Sequence, residues 1–196
     1  MRQLSEKERE IVLVLAKDFG SLYNARSLSK HVGMSPRGAL KALKSLEKFE
    51  MVKGRVFGKA ILYNLSFTEH IKKLLPLLLF EEAQTKALRW VREFEGFKAD
   101  ALVLFGSVLR GKYYNDVDLM IVVDMKNYKA VNKQVDEKNV ILVKRIHPVW
   151  QTIEDLEKNI KKPDKVVLEI LKTGVVLKGH ELIAEVLANI GIPWSE

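Results

Sequence analysis

The chain has 196 residues, 47% of them hydrophobic and 8% aromatic, with 33 Lys+Arg against 25 Asp+Glu, four His, no Cys and a formal net charge of +8. That apolar content excludes a disordered chain and serves one large or two small cored domains, while the missing cysteine excludes disulfides, a thiolate nucleophile, thiolate-bound zinc and iron–sulfur clusters. No apolar run approaches the roughly 20 residues that span a bilayer, and Glu6 and Glu8 turn the start acidic too early for a secretory signal, so a cytoplasmic protein with no membrane partner is expected.

The charge is unevenly placed. Residues 1–68 hold 13 Lys+Arg and 6 Asp+Glu, a net +7, whereas residues 69–196 hold 20 and 19, a net +1. A basic front and a nearly neutral back imply two modules, the first of them facing a polyanion.

In chain order, Ile11, Val12 and Leu15 recur at helical spacing within Ser5–Lys17, and Asp18-Phe19-Gly20-Ser21 closes that segment. Asn24 is a good cap for a second short helix through Ala25, Leu28 and Val32, stopping at Gly33. Ser35-Pro36 opens a third, with Ser as cap and Pro at the first helical position, where its missing N–H is not needed. That helix carries Ala39, Leu43 and Leu46 on one face and Arg37, Lys41, Lys44 and Lys48 on the other, a continuous basic stripe. Two strand-like runs follow, Met51–Phe57 and Ala60–Leu65, joined at Gly58-Lys59 as a hairpin.

Three helices followed by a hairpin, carried by Asn24–Val32, the Gly33 turn, Ser35-Pro36-Arg37 with Leu40 to Leu46, and Val52–Leu65, resemble the winged helix-turn-helix family. The resemblance implies double-stranded DNA as partner, with the third helix in the major groove and the hairpin, or wing, on backbone or minor groove. By position, Ser35, Arg37, Lys41 and Lys44 would then meet DNA, with Arg55 and Lys59 on the wing, several of them as phosphate contacts. The stripe also reads as a solvated face or a protein-contact surface.

Thr68 can cap a helix starting Glu69-His70-Ile71, in which Leu74 to Phe80 are apolar all round and Pro76 should kink or restart the chain. Burial between domains is one use for such a helix, and a homodimer interface for binding two half-sites is the other. A further amphipathic stretch, Ala87 to Phe94, leads to Gly96.

Ala101–Phe105 is a short apolar run consistent with a buried strand, and it delivers into Gly106-Ser107-Val108-Leu109-Arg110-Gly111-Lys112-Tyr113-Tyr114-Asn115-Asp116-Val117-Asp118 and a second apolar run to Val123. Gly106 to Lys112 fits the phosphate-loop spacing G-x-x-x-x-G-K, but Tyr113 stands where that motif needs a hydroxyl for Mg²⁺, and a strand follows where it needs a long helix. The alternative has clear physics. Gly106 lets the backbone approach a phosphate, Ser107 and the N–H groups after it can bind triphosphate oxygens, and Asp116 and Asp118, two apart on a strand, can share Mg²⁺.

Strand, Gly-Ser, Arg-Gly, Asp-x-Asp, strand resembles the signature of the polymerase-β-like nucleotidyltransferases, in particular their minimal prokaryotic members, over roughly Leu88 to Ile190. Asn139–Val149 reads as the third strand, Thr152–Lys161 and Asp164–Lys172 as helices, and Thr173 to Glu181 as the family's ending. The resemblance implies that Gly106, Ser107 and Arg110 bind the triphosphate of ATP or another NTP. It gives Asp116 and Asp118 a catalytic role as ligands of Mg²⁺ or Mn²⁺, and implies transfer of a nucleotidyl group, AMP by preference, to a protein or small-molecule hydroxyl. The family's third-strand carboxylate has no counterpart in 139–148, and Asp136 and Glu137 precede that run. His31, His70, His147 and His180 are isolated and read as surface or capping residues; of these only His147, on the expected third strand, has a second reading, in which it faces the pocket. Trp90, Trp150 and Trp194 read as packing residues.

The expected fold is therefore α+β in two domains, a winged helix at 1–66 and a nucleotidyltransferase-like domain with a small mixed sheet at 88–196, joined by a helical linker at 67–87. Two functions follow from it: a nucleotidyltransferase coupled to a DNA-binding module, or a DNA-binding transcriptional regulator whose second domain is catalytically degenerate and senses nucleotide or dimerises. A third, weaker reading makes the chain a partner of a small helical protein, with no DNA.

Overall fold

The structure is a computed structural model that describes residues 3–189 other than 112 and 163, so Lys112, Ile190 and Trp194 lie outside the described residues. The fold is α+β. Two compact units divide it: residues up to Leu78 with the segment from Leu187, and Leu79–Val186.

In the first unit, α1 (Glu6–Lys17), α2 (Ala25–His31) and α3 (Pro36–Lys48) each begin at a side-chain cap. Ser5 and Glu8 form a reciprocal capping box, as do Asn24 and Ser27, and Ser35 accepts the Gly38 N–H. Each such cap satisfies N–H groups that a helix start otherwise leaves unpaired, which is why the three starts follow directly from the sequence. The hairpin β1 (Val52–Phe57) and β2 (Ala60–Leu65) pairs in antiparallel register from Val52↔Leu65 to Phe57↔Ala60, and Gly58 takes the left-handed φ of 57° that its tight turn requires. Ile11, Leu28, Leu43, Leu46, Met51 and Tyr63 are fully buried and form the centre of this unit. The base of the hairpin is tied in twice, by Gly54 N–H donating to Glu47 Oε1 and by Tyr63 N–H donating to the Tyr23 carbonyl.

Helix α4 (Glu69–Lys86) contains Pro76 and the boundary between the units. Of the two outcomes expected of Pro76, a kink or a restart, the restart does not occur, and the helix runs on as one element. A proline interior to a helix removes one backbone bond, and here Leu74, Leu75, Leu78 and Leu79 around it are buried, which offsets that loss.

In the second unit, α5 (Leu88–Glu93) precedes β3 (Ala101–Phe105), a 3-10 turn at Gly106–Leu109, β4 (Val117–Val122), α6 (Tyr128–Ile141), β5 (Ile146–Gln151), α7 (Ile153–Lys161), α8 (Lys165–Thr173) and β6 (Val175–Lys178); α9 (His180–Asn189) follows and contains the second boundary between the units, after Val186. The strands form a mixed sheet in the order β5-β4-β3-β6, with β4 and β5 parallel and the other pairs antiparallel. Alternation sends Leu102, Leu104, Leu119 and Ile121 into one core with Trp90, Phe94, Val131 and Val135 of α5, its flank and α6. Val103, Met120 and Val122 alternate to the opposite face and are equally buried.

The third strand departs from the sequence reading. Residues 139–141 end α6, and the strand runs from Ile146 to Gln151, not from Asn139 to Val149. The run from Val140 to Val143 has strand-like side chains, but the pairing edge offered by β4 begins opposite Ile146, and a strand exists only where a partner ladder does. Asn139 marks the change: its Oδ1 accepts the Ile146 N–H at 2.7 Å. Asp136 and Glu137 consequently stand exposed on α6.

Candidate functional site

Two candidate sites occur, one in each unit. On α3 the apolar residues Ala39, Leu43 and Leu46 are buried, which fixes the helix rotation and turns Arg37, Lys41 and Lys44 outward. These three, with Ser35, Gly38 and Leu40, line one open groove along the helix. The Ser35 side chain is already engaged, accepting the Gly38 N–H at 3.1 Å, so it builds the helix start as well as bordering the groove. Among the described residues none of Arg37, Lys41 and Lys44 makes an ion pair, so their charge is directed to solvent. Of the two wing cations, Lys59 is exposed in the turn and Arg55 is half-buried on β1, and neither lines the α3 groove. Leu40 on α3 and the apolar wing residues Val56, Phe57 and Ile61 are exposed as well, and neither charge nor spacing marks them in the sequence.

The second site gathers at one end of the mixed sheet. Phe105, the last residue of β3, pairs with Asp118, the second residue of β4, and β5 places His147 on the other side of Asp118. Gly106 follows Phe105 with a φ of 77°, and a Cβ there would collide with Asp118 Oδ2. A side chain at this position would be strained by its φ and would displace the Asp118 carboxylate. Ser107 and Arg110 are exposed on the turn that begins here, and Asp116 is exposed just before β4. Arg145 contributes its carbonyl to the same end, accepting the Val117 N–H at 2.9 Å.

The third strand of the sequence reading, β5, brings an imidazole beside Asp118. His147 Nδ1 lies 3.3 Å from Asp118 Oδ1, a long hydrogen bond, and the His147 side chain is 70% exposed against 23% for Asp118. The ring thus covers one edge of the carboxylate while its own far edge stays open. Among the described residues no group of three or more His, Asp and Glu is gathered in a way that could hold a metal ion. The donor set available to Mg²⁺ is two aspartates, and Mg²⁺ binds commonly through one or two carboxylates with phosphate oxygens and water completing its shell. Imidazole is not among the ligands it favours. Asp116 stands just before β4 and Asp118 on it, and among the described residues no third carboxylate joins them. Of the remaining histidines, His31 Nδ1 lies 3.1 Å from the Ser27 carbonyl, and His180 Nε2 lies 3.0 Å from the Val176 carbonyl and stacks edge-on against Phe80.

No protein-family model matches the chain, and no curated protein does. Among solved structures, a chain described as a zinc-responsive MarR family member, Lactococcus lactis ZitR, matches at 24% identity over 47% of this chain and 62% of that one, with a TM-score of 0.36. A mutant of the same Lactococcus lactis protein matches at 22% identity over 47% and 59%, with a TM-score of 0.33. This chain thus spans about six-tenths of the length of those two, and a likeness so loose carries no argument about fold or activity. No helix among the described residues is long and apolar enough to cross a membrane.

Proposed function

We propose that this protein is a DNA-binding regulator whose first unit is a winged helix that contacts duplex DNA through α3 and the wing. The observation that carries this reading is the α3 groove, where Arg37, Lys41 and Lys44 stand exposed, without an ion pair among the described residues, on a helix whose opposite face is locked into the core. Such a face neutralises phosphates, and each neutralised phosphate releases counterion, so affinity falls steeply with salt. Ser35, Arg55 and Lys59 border the same contact. The test is duplex binding measured across a salt series. Replacing Arg37, Lys41 and Lys44 by Ala should weaken binding across all sequences and flatten the salt slope by about one for each phosphate contact removed. Wild-type binding that ignores salt, or no binding at low salt, defeats the reading.

For the second unit we propose a nucleotide pocket at Gly106, Ser107, Arg110, Asp116 and Asp118, taking ATP or another NTP with Mg²⁺ or Mn²⁺. It is supported by the side-chain-free approach of Gly106 to Asp118 and by the turn that leads from it to the carboxylates. His147 in the third-strand position favours binding over transfer, because an imidazole leaves the site with one negative charge fewer than three carboxylates would give. The expected outcome is Mg-ATP binding that is lost when Asp116 and Asp118 are both replaced by Ala, with no label passed from α-labelled ATP to cell-extract proteins. Transfer that depends on the same two residues would instead establish the rival reading, a nucleotidyltransferase acting on a protein or small-molecule hydroxyl.

A further inference from the structure

The wing carries more than its cations. Its base is buried through Val52, Tyr63 and Leu65, whereas at the tip Val56 is 74% exposed, Phe57 48% and Ile61 43%. The register pairs Val56 with Ile61 and Phe57 with Ala60, so these residues alternate across the hairpin: Val56 and Ile61 on one face, Phe57 and Ala60 on the other. The tip is apolar on both faces. A hairpin lying on a flat surface, whether a protein or a lipid, would cover one of these faces and leave the other in water. A cleft covers both. The charge around the tip says what kind of cleft: Lys53 and Arg55 share the Phe57 face, Lys59 sits in the turn, and residues 52–65 contain no Asp or Glu. The same unit bears the exposed cations Arg37, Lys41 and Lys44 of α3. An apolar blade set in positive charge suits a groove walled by phosphates.

We infer that the wing tip is a wedge that enters the minor groove of duplex DNA, with Val56, Phe57 and Ile61 opening a base step and kinking the duplex. The inference rests on the DNA-binding reading and adds to it that the protein deforms its site. Apolar side chains that part a base step bend the duplex toward the major groove, and pyrimidine–purine steps such as TA yield most easily. The wedge therefore contributes preference for deformable steps without hydrogen-bonding any base, while Lys53, Arg55 and Lys59 hold the flanking phosphates.

The test uses the full chain and a short duplex containing a TA step, labelled at both ends for energy transfer and carrying 2-aminopurine at that step. Wild-type protein should raise end-to-end transfer and 2-aminopurine emission on binding. The triple variant Val56→Ser, Phe57→Ser, Ile61→Ser should still bind with the wild-type salt slope but lose both signals; its thermal melt checks that these exposed positions left the fold intact. Wild-type binding with no change in either signal, or a variant that bends the duplex as wild type does, overturns the wedge while leaving the DNA-binding reading in place. Absence of duplex binding by wild type at low salt overturns the reading beneath it as well. Tip-dependent association with a second copy or with anionic lipid vesicles, without DNA deformation, also overturns the wedge.

Discussion

His180 shows how one side chain ties stability to pH. Its ring lies against Phe80 with Nε2 at the Val176 carbonyl, and burial holds its pKa below the ordinary histidine value, with the Val176 carbonyl and Glu181 opposing that shift. In the unfolded chain the same imidazole titrates near ~6.5. Between the two values the unfolded state binds more protons than the folded one, so protonation favours unfolding. The stability that the neutral ring contributes is thus fully present above about pH 6.5 and is lost as pH falls from there through the folded value. His180→Gln, which cannot titrate, should show a smaller loss of stability than wild type between neutral and mildly acidic pH. Urea unfolding at a series of pH values measures this, and parallel curves for the two proteins would refute it. His147 makes a different point at the same scale. The residues from Gly106 to Asp118 announce their chemistry because they are consecutive in the chain, whereas the pairing of Asp118 with His147 joins residues 29 apart and exists only through the parallel register of β4 and β5. Spacing alone could name the carboxylates but not the partner that shares the site with them.

At the scale of elements, legibility followed locality. The starts of α1, α2, α3, α7 and α8 were readable because each is fixed by a cap within a few residues, from Ser5 and Asn24 to Thr152 and Asp164. The hairpin was readable for the same reason, its turn lying at Gly58-Lys59 between two short apolar runs. Helix α6 was not, because its buried face rests on few residues, Val131 and Val135, and it ends on Val140 and Ile141, β-branched residues with good strand propensity. The end of one element and the start of the next were decided there by β4. The approach of α8 to β3 is another feature set by packing. Gly174 joins α8 to β6 where an added Cβ would come within 2.5 Å of the Ile170 carbonyl oxygen and 2.7 Å of Val103 Cγ1. Relief would need a helix end or a buried strand to move, and neither is free to do so. Gly174→Ala should therefore cost about 1–3 kcal/mol, the range of overpacking in a filled core. Chemical denaturation would read this as a lower midpoint at constant slope. A variant as stable as wild type would mean that the α8–β3 contact is looser than these distances state.

For the whole molecule, the division of charge matters more than its sum. The front 68 residues carry +7 and the remaining 128 carry +1, although both halves are rich in ions. Lysines of the second unit are partly spent on local carboxylates, as in Lys138 with Glu93 and Lys161 with Glu157, while Arg37, Lys41 and Lys44 of the first stay unpaired among the described residues. Net charge alone would attract a polyanion to either unit, and removing any two negative charges would then strengthen DNA binding. The proposed α3 and wing contact leads to a different expectation for the acidic pair of the sheet end. Counterion release depends on the phosphates a protein contacts, not on its total charge. If α3 and the wing make the contacts, Asp116→Asn/Asp118→Asn raises the net charge by two without changing the slope of affinity against salt, and Arg37→Ala/Lys41→Ala lowers it by two and flattens that slope. Equal and opposite shifts in the two variants would show that DNA responds to total charge rather than to one face, and the site would have to be sought elsewhere.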